Sequence, residues 1–171
     1  MKCWLPPAGI ALGIALALYA LLSGSSDEDL IRERLEQLEA AVEVTGPGTN
    51  PVMRGAKVKG EFAEIFTKDV EIRIPELTDT TAGRAELVGL ATQAPSWYAQ
   101  VSVDLGSLEI DLDEVAASAH VFGQATLRGT KHDGSPHRDT RTVSLRCDKI
   151  EDKWRIASIT VSPKQDGSPA P

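Results

Sequence analysis

The chain has 171 residues, of which 42 % are hydrophobic and 25 % are charged, the balance of an ordinary globular domain that folds without disulfide or metal staples. Its formal net charge is −7 and no basic stripe concentrates positive charge, so the composition argues against nucleic acid as a partner. The two cysteines are too few for a disulfide framework.

The first 26 residues are predicted to form a membrane segment. No side chain between Cys3 and Ser26 is charged. Residues 5–22 make a helix of about 27 Å at a rise of ~1.5 Å per residue, close to the ~30 Å hydrocarbon core of a bilayer. We therefore expect residues 1–26 to be a signal anchor that holds the protein at the membrane through one transmembrane helix at residues 5–22.

The fate and orientation of this segment are open from sequence alone. Lys2 before the apolar run and a polar exit after it favour a domain outside the cytoplasm, in a periplasmic or equivalent position. The alternative to a retained anchor is secretion after cleavage near Ser25. Three small residues on one face of the helix would also allow a homodimer through the span, namely Gly9, Gly13 and Ala17.

We place the main domain at residues 27–162. Three helices are predicted in its first half. The first covers about 27–44, and Ser25 with Glu28 forms its capping box. Apolar residues recur at helical spacing along one side of it, while the opposite side is charged. This pattern predicts an amphipathic helix that packs onto its own domain.

A second helix follows over about 52–67, then a short strand over 70–74 and a third helix over about 83–94. Asn50-Pro51 supplies a cap and first turn for the second helix, which buries Phe62 and Phe66. Pro95 is expected to end the third helix, because proline lacks the amide donor that a helix interior uses.

Strands dominate the second half, where apolar and polar residues alternate. Five are predicted, at Gln100–Leu105, Leu108–Asp113, Ala116–Arg128, Thr140–Cys147 and Trp154–Val161. A polar loop over 131–139 joins two of them as a hairpin, and residues 163–171 form a polar tail that is expected to be disordered. This order of elements predicts an α+β fold in which the helices cover one face of an antiparallel sheet.

Several of these elements resemble the nuclear transport factor 2-like superfamily, in particular its SnoaL-like and ketosteroid-isomerase-like branches with a cystatin-like α+β fold. The resemblance rests on FAEIF followed by DVEIRI over 62–74, on the Gly83-Arg-x-x-Leu87 helix start and on the closing Lys153-Trp-Arg-Ile156 strand. Glu151-Asp152 departs from the Asp-Gly turn that the family often has before this strand. The resemblance implies a cone-shaped, strongly curved antiparallel sheet wrapped around about three helices, with a pocket open at one end.

The pocket implied by this resemblance has six candidate lining residues, which are Phe62, Phe66, Trp97, Tyr98, His120 and Trp154. His120 is the candidate acid or base and Tyr98 the candidate hydrogen-bond donor, although both residue types more often fill structural positions in such elements. No catalytic residue is assigned, because no pair of carboxylates falls on an inward strand face.

No metal or other cofactor is expected. His132, Asp133 and His137 lie together in the polar loop, but a flexible turn lacks the fixed backbone that a set of metal ligands needs. The sequence has no glycine-rich phosphate loop, nucleophile elbow or Cys-x-x-Cys motif.

The leading hypothesis is a membrane-anchored domain that binds a small apolar ligand or a protein partner without catalysis. One alternative is an isomerase or dehydratase that uses acid–base chemistry on a small cyclic substrate, with His120 or Tyr98 in the site. A second alternative is a structural component of a cell-envelope assembly that pairs through the outer face of the sheet.

Overall fold

The computed structural model describes residues 25–46, 50–75, 81–113 and 115–163. Its elements, in chain order, are α1 (Asp27–Val42), α2 (Pro51–Ile65), β1 (Phe66–Arg73), β2 (Thr81–Ala82), α3 (Arg84–Trp97), β3 (Tyr98–Asp113), β4 (Ser118–Lys131), β5 (Pro136–Ile150) and β6 (Lys153–Val161). They form one open, curved sheet in the order β2-β1-β6-β5-β4-β3, with the helices packed on one face. The α+β prediction is confirmed.

The expected membrane span at residues 5–22 and the tail from residue 164 onward lie outside the described residues. Among the helices that the structure describes, none has the length and hydropathy to span a bilayer.

The sheet is not antiparallel throughout, as the sequence had suggested, because β1 and β6 run parallel. All other neighbouring strands pair antiparallel. Alternation within a strand reports which residues share a face, but it carries no information about the direction of a partner that lies about 90 residues away. β6, near the centre of the sheet, therefore has one parallel neighbour, β1, and one antiparallel neighbour, β5.

The predicted strands at 100–105 and 108–113 are a single strand, β3, that bends at a bulge between Gly106 and Glu109. Ser107 has a φ of 54° inside this bulge. Gly123 on β4 lies against it, and a Cβ there would be 2.7 Å from Leu108 Cδ2 and 2.9 Å from the Gly106 carbonyl oxygen. The glycine therefore makes room for the bulge, and the bulge increases the curvature of the sheet.

The helix termini follow the capping rules, with one correction. The capping box of α1 is formed by Ser26 and Asp29, one residue beyond the predicted Ser25 and Glu28. Asn50 caps α2 as predicted, since its side-chain oxygen accepts from the Val52 amide at 2.9 Å. The cap is a local signal, and a one-residue shift in its place is typical of sequence-based boundaries.

Pro95 does not end α3, which continues to Trp97. A proline at position 95 leaves the Ala91 carbonyl without its usual i+4 amide donor. Arg54 of α2, only 8 % exposed, donates from Nη2 to that carbonyl at 3.5 Å and from Nη1 to the Glu43 carbonyl at 3.1 Å. A donor from another helix thus compensates for the proline, and the same guanidinium ties all three helices together.

Two hairpins of the second half, β4–β5 and β5–β6, close more tightly than predicted. The loop between β4 and β5 is reduced to four residues, 132–135. Glu151 and Asp152 form the two-residue turn before β6, and both have positive φ angles, 52° and 59°. This is the left-handed backbone that a type I′ turn requires, here adopted without glycine.

Candidate functional site

The space between the helices and the sheet is filled by side chains. Phe62 and Phe66 pack edge to face with their ring centroids 5.0 Å apart, and Trp154 on β6 is only 3 % exposed. The inner sheet face and the helices complete one apolar cluster, which includes Ile31, Leu35, Val58, Ile65, Val121, Leu145, Cys147 and Ile156. Three of the six predicted pocket residues, the two phenylalanines and the tryptophan, therefore belong to the core.

Tyr98 and Trp97 lie at the junction of α3 and β3. Trp97 is 51 % exposed. The Tyr98 ring rests on Gly129 of β4, where a Cβ would be 2.8 Å from Tyr98 Cδ1, and its centroid is 6.0 Å from that of His137. A tyrosine that covers a glycine on the neighbouring strand is a recurrent way to stabilise a sheet, so this contact gives Tyr98 a structural role.

His120 is exposed on the outer face of β4, between Asp111 on β3 and Arg146 on β5. Its strand neighbours Ala119 and Val121 are fully buried on the inner face. Tyr98 pairs at Lys131, eleven residues along β4, which is roughly 35 Å of strand. The structure therefore does not bring His120 and Tyr98 together, and the two candidate residues of the enzyme alternative do not share a site.

A cluster of Asp27, Lys149 and Trp154 fixes the first residue of α1 to the sheet. The Asp27 carboxylate accepts from Lys149 Nζ at 2.9 Å and from Trp154 Nε1 at 2.8 Å, and Lys149 Nζ lies 5.7 Å from the indole centroid. The Lys149 ammonium, followed by the indole donor, lowers the pKa of Asp27 below its ordinary value. The cluster is an anchoring contact, since its donors and acceptor satisfy one another.

An open groove of about 680 Å³ lies on the outer face, along β1, β6 and the end of β5. It exists because β1 and β6 separate locally, where residues 67–70 of β1 stand opposite the single residue Ala157 of β6. The arched part of β1 forms one wall of this outer groove. The volume is within the range of small-molecule sites.

Charged side chains line the outer groove. Four are cationic and three are anionic, namely Lys68, Arg73, Arg146, Arg155, Asp69, Glu71 and Asp148. Two ion pairs form within single strands, Arg73 with Glu71 at 3.0 Å and Arg146 with Asp148 at 3.0 Å. The groove is thus slightly positive in a chain whose net charge is −7.

Arg155 is the groove cation whose bonding is incomplete. It is partly buried, and its Nε is inaccessible to solvent without a hydrogen-bond partner among the described residues. Asp148, its cross-strand neighbour, is bonded to Arg146 instead. The sequence did not single out Arg155, although alternation with the buried Trp154 and Ile156 placed it on the opposite face.

The remaining reactive residue types are not arranged for chemistry. Burial, and secondarily the Asp148 charge, raises the pKa of Cys147 to about 12, so its thiol stays protonated. His132 donates from Nε2 to the Pro95 carbonyl at 2.9 Å and so ties the β4–β5 turn to the end of α3. Within the four described ranges, no three His, Cys, Asp or Glu side chains come together as a metal site.

Comparison with known proteins gives a consistent picture. The model of the SnoaL-like domain family matches residues 55–160. Among curated proteins, none matches the chain significantly.

Solved structures share the fold at low identity. The Kfla4162 protein of Kribbella flavida aligns with a TM-score of 0.65 at 10 % identity, over 80 % of this chain and 90 % of its own. A nuclear transport factor 2-like protein of Salmonella enterica gives 0.62 at 13 %, over 82 % and 94 %. A protein of Novosphingobium aromaticivorans with a cystatin-like fold gives 0.62 at 16 %, over 91 % and 90 %.

Proposed function

The chain belongs to the SnoaL-like domain family, and on that premise we propose that it is a membrane-anchored binding module without catalytic activity. The fold hosts both enzymes and non-catalytic proteins, so the function has to be argued from the site. The observation that carries the proposal is the position of polar side chains: the interior is packed with apolar groups, whereas the charged residues line the outer groove.

Acid–base catalysis on a cyclic substrate requires a carboxylate or histidine inside an apolar pocket, where desolvation tunes its pKa. The aromatic residues that would form such a pocket, Phe62, Phe66 and Trp154, contact one another or the rest of the core. His120 is on the wet face of the sheet. The geometry therefore favours a polar ligand in the outer groove over a small apolar substrate or ligand in the interior.

Isoleucine methyl groups can distinguish the two locations by nuclear magnetic resonance. Ile31, Ile65 and Ile156 are buried in the interior, and Ile150, 38 % exposed, lines the outer groove. We expect polar fragments to shift the Ile150 methyl signals of the full chain and leave the interior methyl signals unchanged. Saturable shifts of the interior methyl signals with a small cyclic ketone would instead place the ligand in the interior and contradict the outer-groove proposal.

The membrane anchor is the second part of the proposal. It is supported by the 18-residue apolar segment at 5–22 and by the attachment of Asp27, just beyond it, to the sheet through Lys149 and Trp154. We expect the intact chain in the membrane fraction after carbonate extraction. A shortened chain that begins near Ser25 and stays in the supernatant would show that secretion is the correct alternative.

A further inference from the structure

We propose that the outer groove binds an anionic group, a carboxylate or a phosphate, on the guanidinium of Arg155. This inference rests on the proposed function, because it names the ligand chemistry of the same groove. It adds a specific residue, a charge sign and a geometry that the binding-module proposal does not require.

The first argument is the unused donor. Arg155 Nε is enclosed by the protein and lacks a hydrogen-bond acceptor anywhere in the part of the chain that the structure describes. Buried donors are almost always paired, because a donor without a partner has lost its water and gained nothing in return. Because Nε itself is enclosed, an acceptor in the groove would bond the terminal Nη atoms of the same guanidinium, which also lack a partner among the described residues.

The second argument is charge. Glu71 and Asp148 are held by Arg73 and Arg146 in the same strands, which leaves Lys68, Arg155 and Asp69 as the groove charges without an ion-pair partner among the described residues, one net positive charge. Arg155 and Lys68 both line the groove without an ion-pair partner among the described residues. A negatively charged ligand therefore meets a groove with a net positive charge, in which Arg155 is the more enclosed of the two unpaired cations.

The third argument is shape. Residues 67–70 arch away from Ala157, so the groove floor opens beside Arg155 rather than closing into the regular strand spacing. A guanidinium presents parallel N–H donors that match the two oxygens of a carboxylate or phosphate, which a lysine ammonium cannot reproduce. Arg155→Lys therefore removes the fork while it keeps the charge.

The test uses the full chain in detergent micelles, labelled with ¹⁵N at arginine, and follows the side-chain Nε–Hε signals. Inorganic phosphate and citrate are titrated separately at constant ionic strength. The Arg155 signal is the one that disappears in R155K. Arg138→Lys is the matched control, because Arg138 is an exposed arginine of the same sheet that does not line the groove.

We expect a saturable shift of the Arg155 signal with phosphate or citrate, and R155K to weaken binding of that probe about tenfold, as loss of one charge-assisted bond implies. R138K should leave the affinity unchanged. An equal weakening in both variants, or no saturable shift with either probe, would overturn the inference. Arg155→Gln, checked by its isoleucine methyl spectrum, provides the second variant if R155K does not fold.

Vesicles distinguish the source of the anion. Displacement of bound phosphate by vesicles of phosphatidylglycerol, but not of phosphatidylcholine, would assign the group to a lipid headgroup. Lack of displacement would assign it to a soluble anion, and both results support an anion site at Arg155. A shift of Ile150 with uncharged fragments alone would refute this inference while the binding-module proposal survives, whereas interior methyl shifts would refute that proposal.

Discussion

Arg54 and Pro95 should be energetically coupled, because the arginine donates to the carbonyl that the proline leaves unpaired. Arg54 Nη2 lies 3.5 Å from the Ala91 oxygen, and Nη1 makes a separate bond of 3.1 Å to the Glu43 carbonyl. In P95A the backbone amide of residue 95 can donate to Ala91 itself, as in an unbroken helix. The bond from Arg54 to Ala91 then becomes redundant.

The magnitude follows from the two bonds. A hydrogen bond from a charged donor contributes about 1.5–3 kcal/mol, and one at the distance limit contributes less. Replacement of Arg54 by methionine also removes a buried charge, which offsets part of the lost free energy of unfolding. We therefore expect R54M to lower the free energy of unfolding by about 2–3 kcal/mol in the wild-type background and by about 1 kcal/mol less in P95A.

The assay is urea unfolding of the four chains of the cycle, as full chains in mild detergent, followed by far-ultraviolet circular dichroism. Arg138→Met combined with P95A is the control, since Arg138 is an exposed residue of β5 and should not couple to the helix. A coupling free energy for R54M and P95A within about 0.3 kcal/mol of zero would refute the reasoning, because it would mean that Arg54 does not replace the missing amide.

Four further variants test the fold and its anchoring contacts. By urea unfolding, G123A should cost about 1–3 kcal/mol because its methyl group would overlap the β3 bulge, whereas G60A, whose Cβ meets open space on α2, should gain up to about 1 kcal/mol. W154A should cost about 3–5 kcal/mol in the same assay, and a loss below about 1 kcal/mol would contradict its place in the core. The folded state lowers the pKa of Asp27 from its ordinary 3.8, so its contribution to stability is complete above that pH and is lost as the pH falls through the lowered value. In unfolding curves, the difference in stability between D27N and wild type should therefore shrink as the pH is lowered below 3.8. In a C3S chain, where only Cys147 can react, this thiol with its pKa raised to about 12 should react with a thiol reagent at pH 8 only when the chain is unfolded, and fast labelling of the native C3S chain would show that β5 opens.

Local sequence patterns predicted most of the helices and strands well. The features that were not predicted depend on contacts between residues that lie far apart in the chain. Asn50-Pro51 fixed the start of α2 because a cap and a first-turn proline act within four residues. The continuation of α3 through Pro95 was not predictable, since it depends on Arg54, some 40 residues earlier in the chain. The joining of two expected strands into β3 likewise depends on Gly123, which belongs to another strand.

The site was harder to predict because alternation divides a strand into two faces without saying which face a pocket uses. His120 and Arg155 both alternate with buried residues, and both are on the outer face. Only the local separation of β1 from β6 distinguishes them, since it creates the outer groove beside Arg155. That separation arises because four residues of β1 stand opposite one residue of β6, and the two segments are about 90 residues apart in the sequence. A local sequence pattern cannot report a pairing over that distance.

The proposed anchor and the outer groove would be connected by geometry. The expected span ends at Leu22, and Asp27 is already bonded to Lys149 and Trp154 on the sheet. Five residues reach at most roughly 17 Å, so a retained anchor would hold this end of β5 and β6 within that distance of the bilayer. Arg155 follows Trp154 directly and lines the groove together with Ile150, so the groove would open near the membrane surface. The Tyr98 end lies thirteen residues along β4 from the position opposite Asp148, roughly 43 Å of strand, and would point away from the membrane surface. An anion site in this position would be within reach of lipid headgroups as well as soluble ligands, and for this reason the vesicle measurement is the one that connects the two halves of the proposed function.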